Sequence, residues 1–279
     1  MLTLYKPESI FSARHVPSWL MFAFAAGSVN ASALLACQTY VTHVTGTATR
    51  IGMEIANLEP LLDFALVLVC FISGAMTSGL LINGRAHRNK RPLYGLPLWF
   101  SFSVVLFAAV AGHLGVLGPF GGEVTAPADF VLLSMLSFAM GMQNAAVATS
   151  TGLLVRTTHL TGPSTDLGIH LVEMMFVKDE ALSLARRHAA LRAGKIVSFI
   201  TGAAMAVPLA RHGEFLAFLL PAVVMFTGIM LSFLPGDVAG EPPLDSTKEG
   251  GELVDMDTLP VPSPGSIGDP AVAPRARPL

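Results

Sequence analysis

Charge is what this sequence has least of. Only 13% of its 279 residues are Asp, Glu, Lys or Arg, about half the share of an ordinary soluble domain, which is roughly 25%. The shortage is concentrated. Residues 1–235 carry 14 Lys/Arg and 11 Asp/Glu, too few to coat a globule of that size in water, whereas residues 236–279 carry 3 and 8. A soluble enzyme and a nucleic-acid binder are disfavoured together. Cysteine is also scarce: Cys37 and Cys70 lie inside apolar runs, where a thiol behaves as a small hydrophobe, so a disulfide scaffold is disfavoured as well. No Gly-x-Ser-x-Gly elbow, His-Glu-x-x-His pair, phosphate-binding loop or dinucleotide fingerprint occurs. The expectation is a protein that is not an enzyme and needs no cofactor or metal.

What the chain does have is long apolar runs, with hydrophobic residues at 52%. A crossing takes about 20 apolar residues, and six stretches qualify: Trp19–Gln38, Leu61–Ile82, Tyr94–Leu117, Phe130–Thr149, Ala193–Ala210 and Phe215–Leu234. The first follows Lys6 and Arg14 but exceeds the apolar core of a signal peptide, so it reads as an uncleaved helix. The basic residues set an orientation. The run Gly84–Arg91 holds four of them. Arg156, Lys178, Arg186, Arg187, Arg192 and Lys195 lie between the fourth and fifth spans, or just inside the fifth. With the amino terminus inside, these and Lys6 and Arg14 face the cytoplasm, leaving Arg50 and Arg211 outside. Both termini are then cytoplasmic. Residues 178–192 read as a helix with an apolar stripe at Leu182, Ala185 and Ala189, suited either to lie on anionic headgroups or to extend the fifth span. The Pro/Gly-rich acidic tail, 236–279, reads as disordered.

The spans contain an internal repeat. Gly27-Ser-Val-Asn30-Ala31 returns as Gly141-Met-Gln-Asn144-Ala145, and Thr42-His43-Val-Thr45-Gly46-Thr-Ala-Thr49 as Thr158-His159-Leu-Thr161-Gly162-Pro-Ser-Thr165. Phe71-Ile-Ser-Gly74-Ala75 returns as Phe199-Ile-Thr-Gly202-Ala203. Each copy holds three spans, an odd number, so the second enters the membrane from the opposite side. The predicted fold is an all-α, polytopic bundle of six transmembrane helices built as a 3+3 inverted-topology repeat. Residues 1–17 form a cytoplasmic segment, 18–235 the membrane domain (repeats at about 18–117 and 129–235) and 236–279 the tail.

The Thr-His-x-Thr-Gly motif predicts a broken helix: the first span stops near Thr42 and a short helix begins near Thr47. Such breaks tend to line cavities, because their backbone groups need partners, and the new helix start favours an anion or carboxylate. Gly46 and Gly162 permit positive φ or close backbone approach, and Pro163 breaks or starts a helix. Asp166, His170 and Glu173 fall on one helical face, opposite numbers of Arg50, Glu54 and Asn57. If the repeats cross near a two-fold axis, Arg50 meets Asp166. The candidate substrate-binding or coupling residues are Asn30, Thr42, His43, Thr45, Gly46, Glu54, Gln143, Asn144, Thr158, His159, Thr161, Gly162, Asp166 and His170. Blander readings stand beside this one. The two histidines can cap helix ends, the acidic stripe can face water, and Asn30, Gln143 and Asn144 can join helices. Gly74 and Gly202 suit close helix packing.

These motifs, above all Gly141–Gly168, resemble the YoaK family, a widespread group of bacterial six-span membrane proteins classed as a domain of unknown function. The resemblance covers about residues 15–235 and implies a bacterial cytoplasmic (inner) membrane location without supplying an activity. One departure is Thr47, where members commonly carry Asn, which weakens the case for local hydrogen bonding there. The leading expectation is a small secondary transporter or permease for a small solute or ion. The alternatives are a passive channel and a membrane scaffold or regulatory protein. Its partners would be the lipid bilayer and an unidentified solute, with homo-oligomers allowed and nucleic acid not expected.

Overall fold

A computed structural model describes residue 11 and residues 15–121 and 127–232. Lys6, Arg14 and the acidic tail lie outside the described residues. The chain separates into two units, Met1–Ala239 and Gly240–Leu279, and everything described belongs to the first. The described residues are helical and contain no strand.

The order of elements runs long, short, long, long, twice over, once the 3-10 turn that leads into the last helix is counted with it. Helix α1 (Val16–Cys37) is followed by the short α2 (Val44–Met53), then by α3 (Leu58–Gly79), which ends in a π turn at Leu80–Gly84, and α4 (Gly95–His113). The second series is α5 (Pro127–Ser150), the shorter α6 (Thr161–Phe176), α7 (Asp179–Gly213), a 3-10 turn at Glu214–Phe218, and α8 (Leu219–Ser232). Five helical stretches are long and apolar enough to cross a membrane: Val16–Cys37, Pro60–Gly84, Gly95–His113, Ala128–Ser150 and Asp179–Ser232. The last is 54 residues long and runs through α7 and α8, enough for two crossings at about 20 residues each. The chain has the helices of a multi-pass membrane protein.

Sequence and packing explain which helices are central. In α1 fourteen residues are buried, on every side of the helix, from Ser18 and Trp19 to Ala36 and Cys37. A helix apolar all round belongs inside a bundle, and the many Ala, Gly and Ser in α1 let neighbours approach closely. Helix α1 packs chiefly on α7 and then on α8; α5 packs chiefly on α3 and then on α4. The short helices are peripheral: α2 lies on α3 and α6 on α7, with Thr47 the one buried residue of α2 and none buried in α6.

Both main crossings are made at glycine, in the same way. A Cβ on Gly27 would lie 2.1 Å from the Phe199 carbonyl oxygen, and one on Gly202 would lie 2.0 Å from that of Phe24. In the α3–α5 crossing, Gly74 and the Phe138 carbonyl stand in this relation at 2.0 Å, and Gly141 and the Phe71 carbonyl likewise at 2.0 Å. Each glycine sits three residues after the phenylalanine whose carbonyl its partner glycine approaches. The four Phe-x-x-Gly segments thus form two reciprocal clasps, α1 on α7 and α3 on α5, in which backbone meets backbone.

The segment 178–192 is no separate surface helix. It is the first part of the continuous 35-residue α7, and Ala185, Ala189 and Leu191 are buried in the protein. Its apolar stripe is buried in the protein, and the helix runs unbroken into the apolar run Ala193–Ala210, which is the arrangement that the extended-span reading expects.

Candidate functional site

The two chain breaks fall where the motif predicts them, with ends moved by a few residues. After α1 the backbone leaves the helix at Gln38, which adopts φ 53°, and resumes it at Val44. After α5 it leaves at Thr151 and resumes at Thr161. In each break an asparagine one turn or more inside the long helix reaches forward and holds the returning chain. The Oδ1 of Asn30 accepts from the Thr42 amide at 3.1 Å, and that of Asn144 accepts from the Thr158 amide at 3.2 Å. These amides lie beyond any helical ladder, and the side-chain oxygens satisfy them.

Held this way, the two breaks face one cavity of ≈ 410 Å³. Asn30, Tyr40, Thr42, His43, Val44, Thr45 and Phe71 line it from the first series. Their counterparts Asn144, Arg156, Thr158, His159, Leu160, Thr161 and Phe199 line it from the second. Every lining residue has its opposite number in the repeat alignment. His43 and His159 therefore share a cavity, and neither imidazole makes a hydrogen bond to a described residue; the His43 ring meets Tyr40 edge-on at 5.6 Å between centroids. They are not side-chain caps, since no cap bond forms at either short helix.

The glycines of the motif serve those rings. A Cβ on Gly46 would stand 2.5 Å from His43 Nδ1, and one on Gly162 would stand 2.8 Å from His159 Cε1. Neither glycine has positive φ, so of the two uses expected for them, close approach is the one found, and what approaches is the imidazole three residues earlier.

Where the halves differ, one change answers another. In the first, the His43 carbonyl accepts from the Thr47 amide at 2.9 Å and from the Thr47 hydroxyl at 3.0 Å. Thr47 thus has the local hydrogen bond that its departure from the family pattern argued against. In the second half, Pro163 occupies the matching place and has neither donor. The His159 carbonyl accepts instead from the Lys195 ammonium at 2.5 Å, and the same ammonium donates to the Arg156 carbonyl. Lys195 is 4% exposed and stands opposite Val67 of the first half, itself 2% exposed. A second exchange replaces Val29 and Val41 by Gln143 and Thr157. The Gln143 amide donates to Thr157 Oγ1 at 3.3 Å and to the Phe22 carbonyl at 3.1 Å, tying α5 to α1.

Sequence reasoning counted Lys195 and Arg156 among the orienting charges and missed their part in the site. The signal was there: Lys195 is the lone charged residue of the run Ala193–Ala210, and Pro163 replaces a residue that can donate.

Other candidates lie apart from the cavity. Gln143 is fully buried where α5 meets α1 and does not line the cavity. Glu54 closes the end of α2, where its carboxylate accepts from Asn57 at 2.9 Å. The Asp166, His170, Glu173 stripe does share one face of α6, but part of that face turns to α7: Asp166 accepts from Arg192 at 3.0 Å, and His170 stacks on His188 at 5.3 Å while contacting Glu173 at 2.9 Å. Arg50 does not meet Asp166. Its guanidinium lies over the Phe64 ring, 5.4 Å from the centroid, because α2 packs on α3. Among the described residues no group of three or more His, Cys, Asp or Glu is placed to hold a metal. Asp166 instead borders a smaller, ≈ 200 Å³ recess with Arg156, His159, Gly162 and Lys195. In this irregular segment burial holds the His159 imidazole below the usual histidine range, and the positive charges of Lys195 and Arg156 push the same way.

Residues 18–231, which contain both breaks and every cavity residue, match the family described as "Protein of unknown function (DUF1275)". The chain belongs to this family. Comparison with curated proteins finds no match, and neither does comparison with solved structures. Membership in DUF1275 brings no activity with it, so the chemistry of the cavity has to be argued from its own residues.

Proposed function

We propose that this DUF1275 protein is a small secondary transporter or permease whose substrate site is the shared cavity. The membrane body is then six crossings arranged as two related three-span halves of opposite orientation, in a bacterial cytoplasmic membrane with both termini inside. The motif resemblance to the YoaK family, spanning nearly the same residues as the DUF1275 match, favours that compartment. The observation that carries the reading is the composition of the cavity wall: seven positions from each half, matched one to one. Matched broken helices meeting at a common cavity are how inverted-repeat transporters build a site that either half can close. The packing supports it, since exchanging the halves turns the α1–α7 and α1–α8 pairings into the α5–α3 and α5–α4 pairings.

Histidine is the side chain best suited to coupling to protons, and two imidazoles, one from each half, face this cavity. The test is uptake by the purified full-length protein in proteoliposomes across an imposed pH gradient. Saturable accumulation against a gradient is expected, weakened when His43 and His159 are both replaced by Ala. Linear, uncoupled flux would establish a passive channel instead, and flux indifferent to both substitutions would remove the histidines from the mechanism.

A further inference from the structure

The cavity wall is matched in position but not in charge. Of its fourteen residues one carries a fixed charge, Arg156, and none is a carboxylate. Its opposite number is the neutral Tyr40. The Arg156 guanidinium makes no hydrogen bond or ion pair with any described residue and is exposed. Its backbone is nevertheless pinned, because Lys195 holds the Arg156 carbonyl from below. Asp166, which borders the ≈ 200 Å³ recess that Arg156 also lines, is engaged by Arg192 and does not line the cavity.

The rest of the wall adds partial charge of the same sign. Both short helices begin at the cavity, with Val44 and Thr45 of α2 and Thr161 of α6 in its lining; first-turn amides have no carbonyl partner in their own helix, although that of Val44 already donates to the Thr42 carbonyl at 3.1 Å. Helix starts attract anions. Four threonine hydroxyls and two imidazoles can donate as well. Asn30, Asn144 and Tyr40 are polar but uncharged, with both asparagine oxygens already taken by the Thr42 and Thr158 amides; the apolar surface is Phe71 and Phe199, one from each clasp, with Val44 and Leu160. A cation would find no counter-charge here, and a dianion would leave one charge without a fixed partner. An inorganic anion would leave the phenylalanine faces unused. A volume of ≈ 410 Å³ falls within the range of about 300–1,000 Å³ usual for small-molecule sites.

We infer that the ligand of this cavity is a small organic monoanion, its charged group held by Arg156 and its apolar body against Phe71 and Phe199. This rests on the reading of the cavity as a substrate site. The unequal ends, Arg156 in one half and Tyr40 in the other, give the ligand one orientation, charged group toward the second half.

Binding and flux separate the two ideas. The detergent-purified full-length protein is titrated by calorimetry with benzoate, benzenesulfonate, chloride, choline and glycerol. The organic anions are expected to bind and choline and glycerol not to. Arg156→Gln should weaken benzenesulfonate about tenfold or more, the loss of one charge-assisted contact, and Arg156→Lys should recover part of it. Phe199→Ala should weaken benzenesulfonate while leaving chloride unchanged. The exposed, unpaired Arg156 side chain makes the Gln variant a mild one for folding, and its thermal midpoint checks this. Failure of both organic anions to bind, preference for choline or glycerol, chloride binding as tightly as the organic anions, or indifference to Arg156→Gln each overturns the ligand class. Benzenesulfonate, which has no neutral form that leaks through lipid, then serves in proteoliposomes. Binding without uptake would refute transport and leave the ligand class standing. Uptake of choline or glycerol with no anion binding would do the reverse.

Discussion

Replacing Pro163 by Thr should have opposite effects in two backgrounds. In the native chain the His159 carbonyl already has the Lys195 ammonium, so donors from a threonine at 163 are redundant. The substitution then forfeits only the preset φ of a first-turn proline, at about 0.4–1 kcal/mol. In a Lys195→Val background, which installs the residue found at the matching position of the first half, that carbonyl has lost its donor. Threonine at 163 now restores the arrangement around His43, an amide and a hydroxyl on one carbonyl oxygen, and regains about 1–3 kcal/mol, the cost of a buried unsatisfied acceptor. The single Lys195→Val change is the less informative measurement. It also removes a buried ammonium, whose desolvation penalty is itself several kcal/mol, so its net effect is a difference of two large quantities. The double-mutant cycle cancels that penalty. The assay is thermal unfolding of the four purified proteins in detergent, where about 1 kcal/mol moves the midpoint by about 2–4 °C in a chain of this size. Additive midpoints, meaning an interaction below about 0.5 kcal/mol, would refute the claim that Lys195 stands in for the donors Pro163 lacks.

Further outcomes follow from the same geometry. Ala at Gly27, Gly74, Gly141 or Gly202 would put a Cβ about 2 Å from a backbone carbonyl and should cost about 3 kcal/mol or more, beyond ordinary overpacking, read as lost monodisperse yield or a lowered thermal midpoint. Gly52 and Gly168, equally part of the repeated motif, have nothing within 4 Å of such a Cβ; Ala there should be neutral or stabilise by up to about 1 kcal/mol in the same melt. Asn30→Ala and Asn144→Ala should each cost about 1–3 kcal/mol by orphaning the Thr42 and Thr158 amides, visible as faster amide exchange in 38–43 and 151–160. In an NMR titration His159 should protonate below the ordinary histidine range, and Arg156→Gln should shift its midpoint upward, because removing a neighbouring positive charge makes the protonated ring less unfavourable.

The sequence told where helices run and where they break far better than what they face. Apolar runs located the long helices to within a few residues except for the start of α7, whose charged first turns carry no membrane signal. Repetition of Thr-His-x-Thr-Gly located both breaks, since only a duplicated constraint keeps the same polar residues between apolar spans. Periodicity rightly put Asp166, His170 and Glu173 on one face, yet it contains nothing about the neighbour, and α7 rather than the cavity takes Asp166 and His170. Lys195 was read as a topological charge because counting charges by side ignores packing. Its use becomes visible when Pro163 is set against Thr47 and the missing amide is traced to an acceptor. The Phe-x-x-Gly spacing was legible four times over, but the clasps join α1 to α7 and α3 to α5, pairings that no local pattern encodes.

Those clasps bear on the order in which the protein is made. Helix α1 leaves the ribosome well before α7, the helix that fits Gly27 and Phe24, so it waits while the helices between them are made, with its best surface uncovered. The α3–α5 clasp closes sooner and gives a partial bundle into which α1 can settle only when α7 arrives. The cavity, which takes Phe199 of α7 into its wall, is complete only once α7 is in place. A chain interrupted before α7 should be recognised as unfinished by cellular quality control, however well its individual helices have inserted.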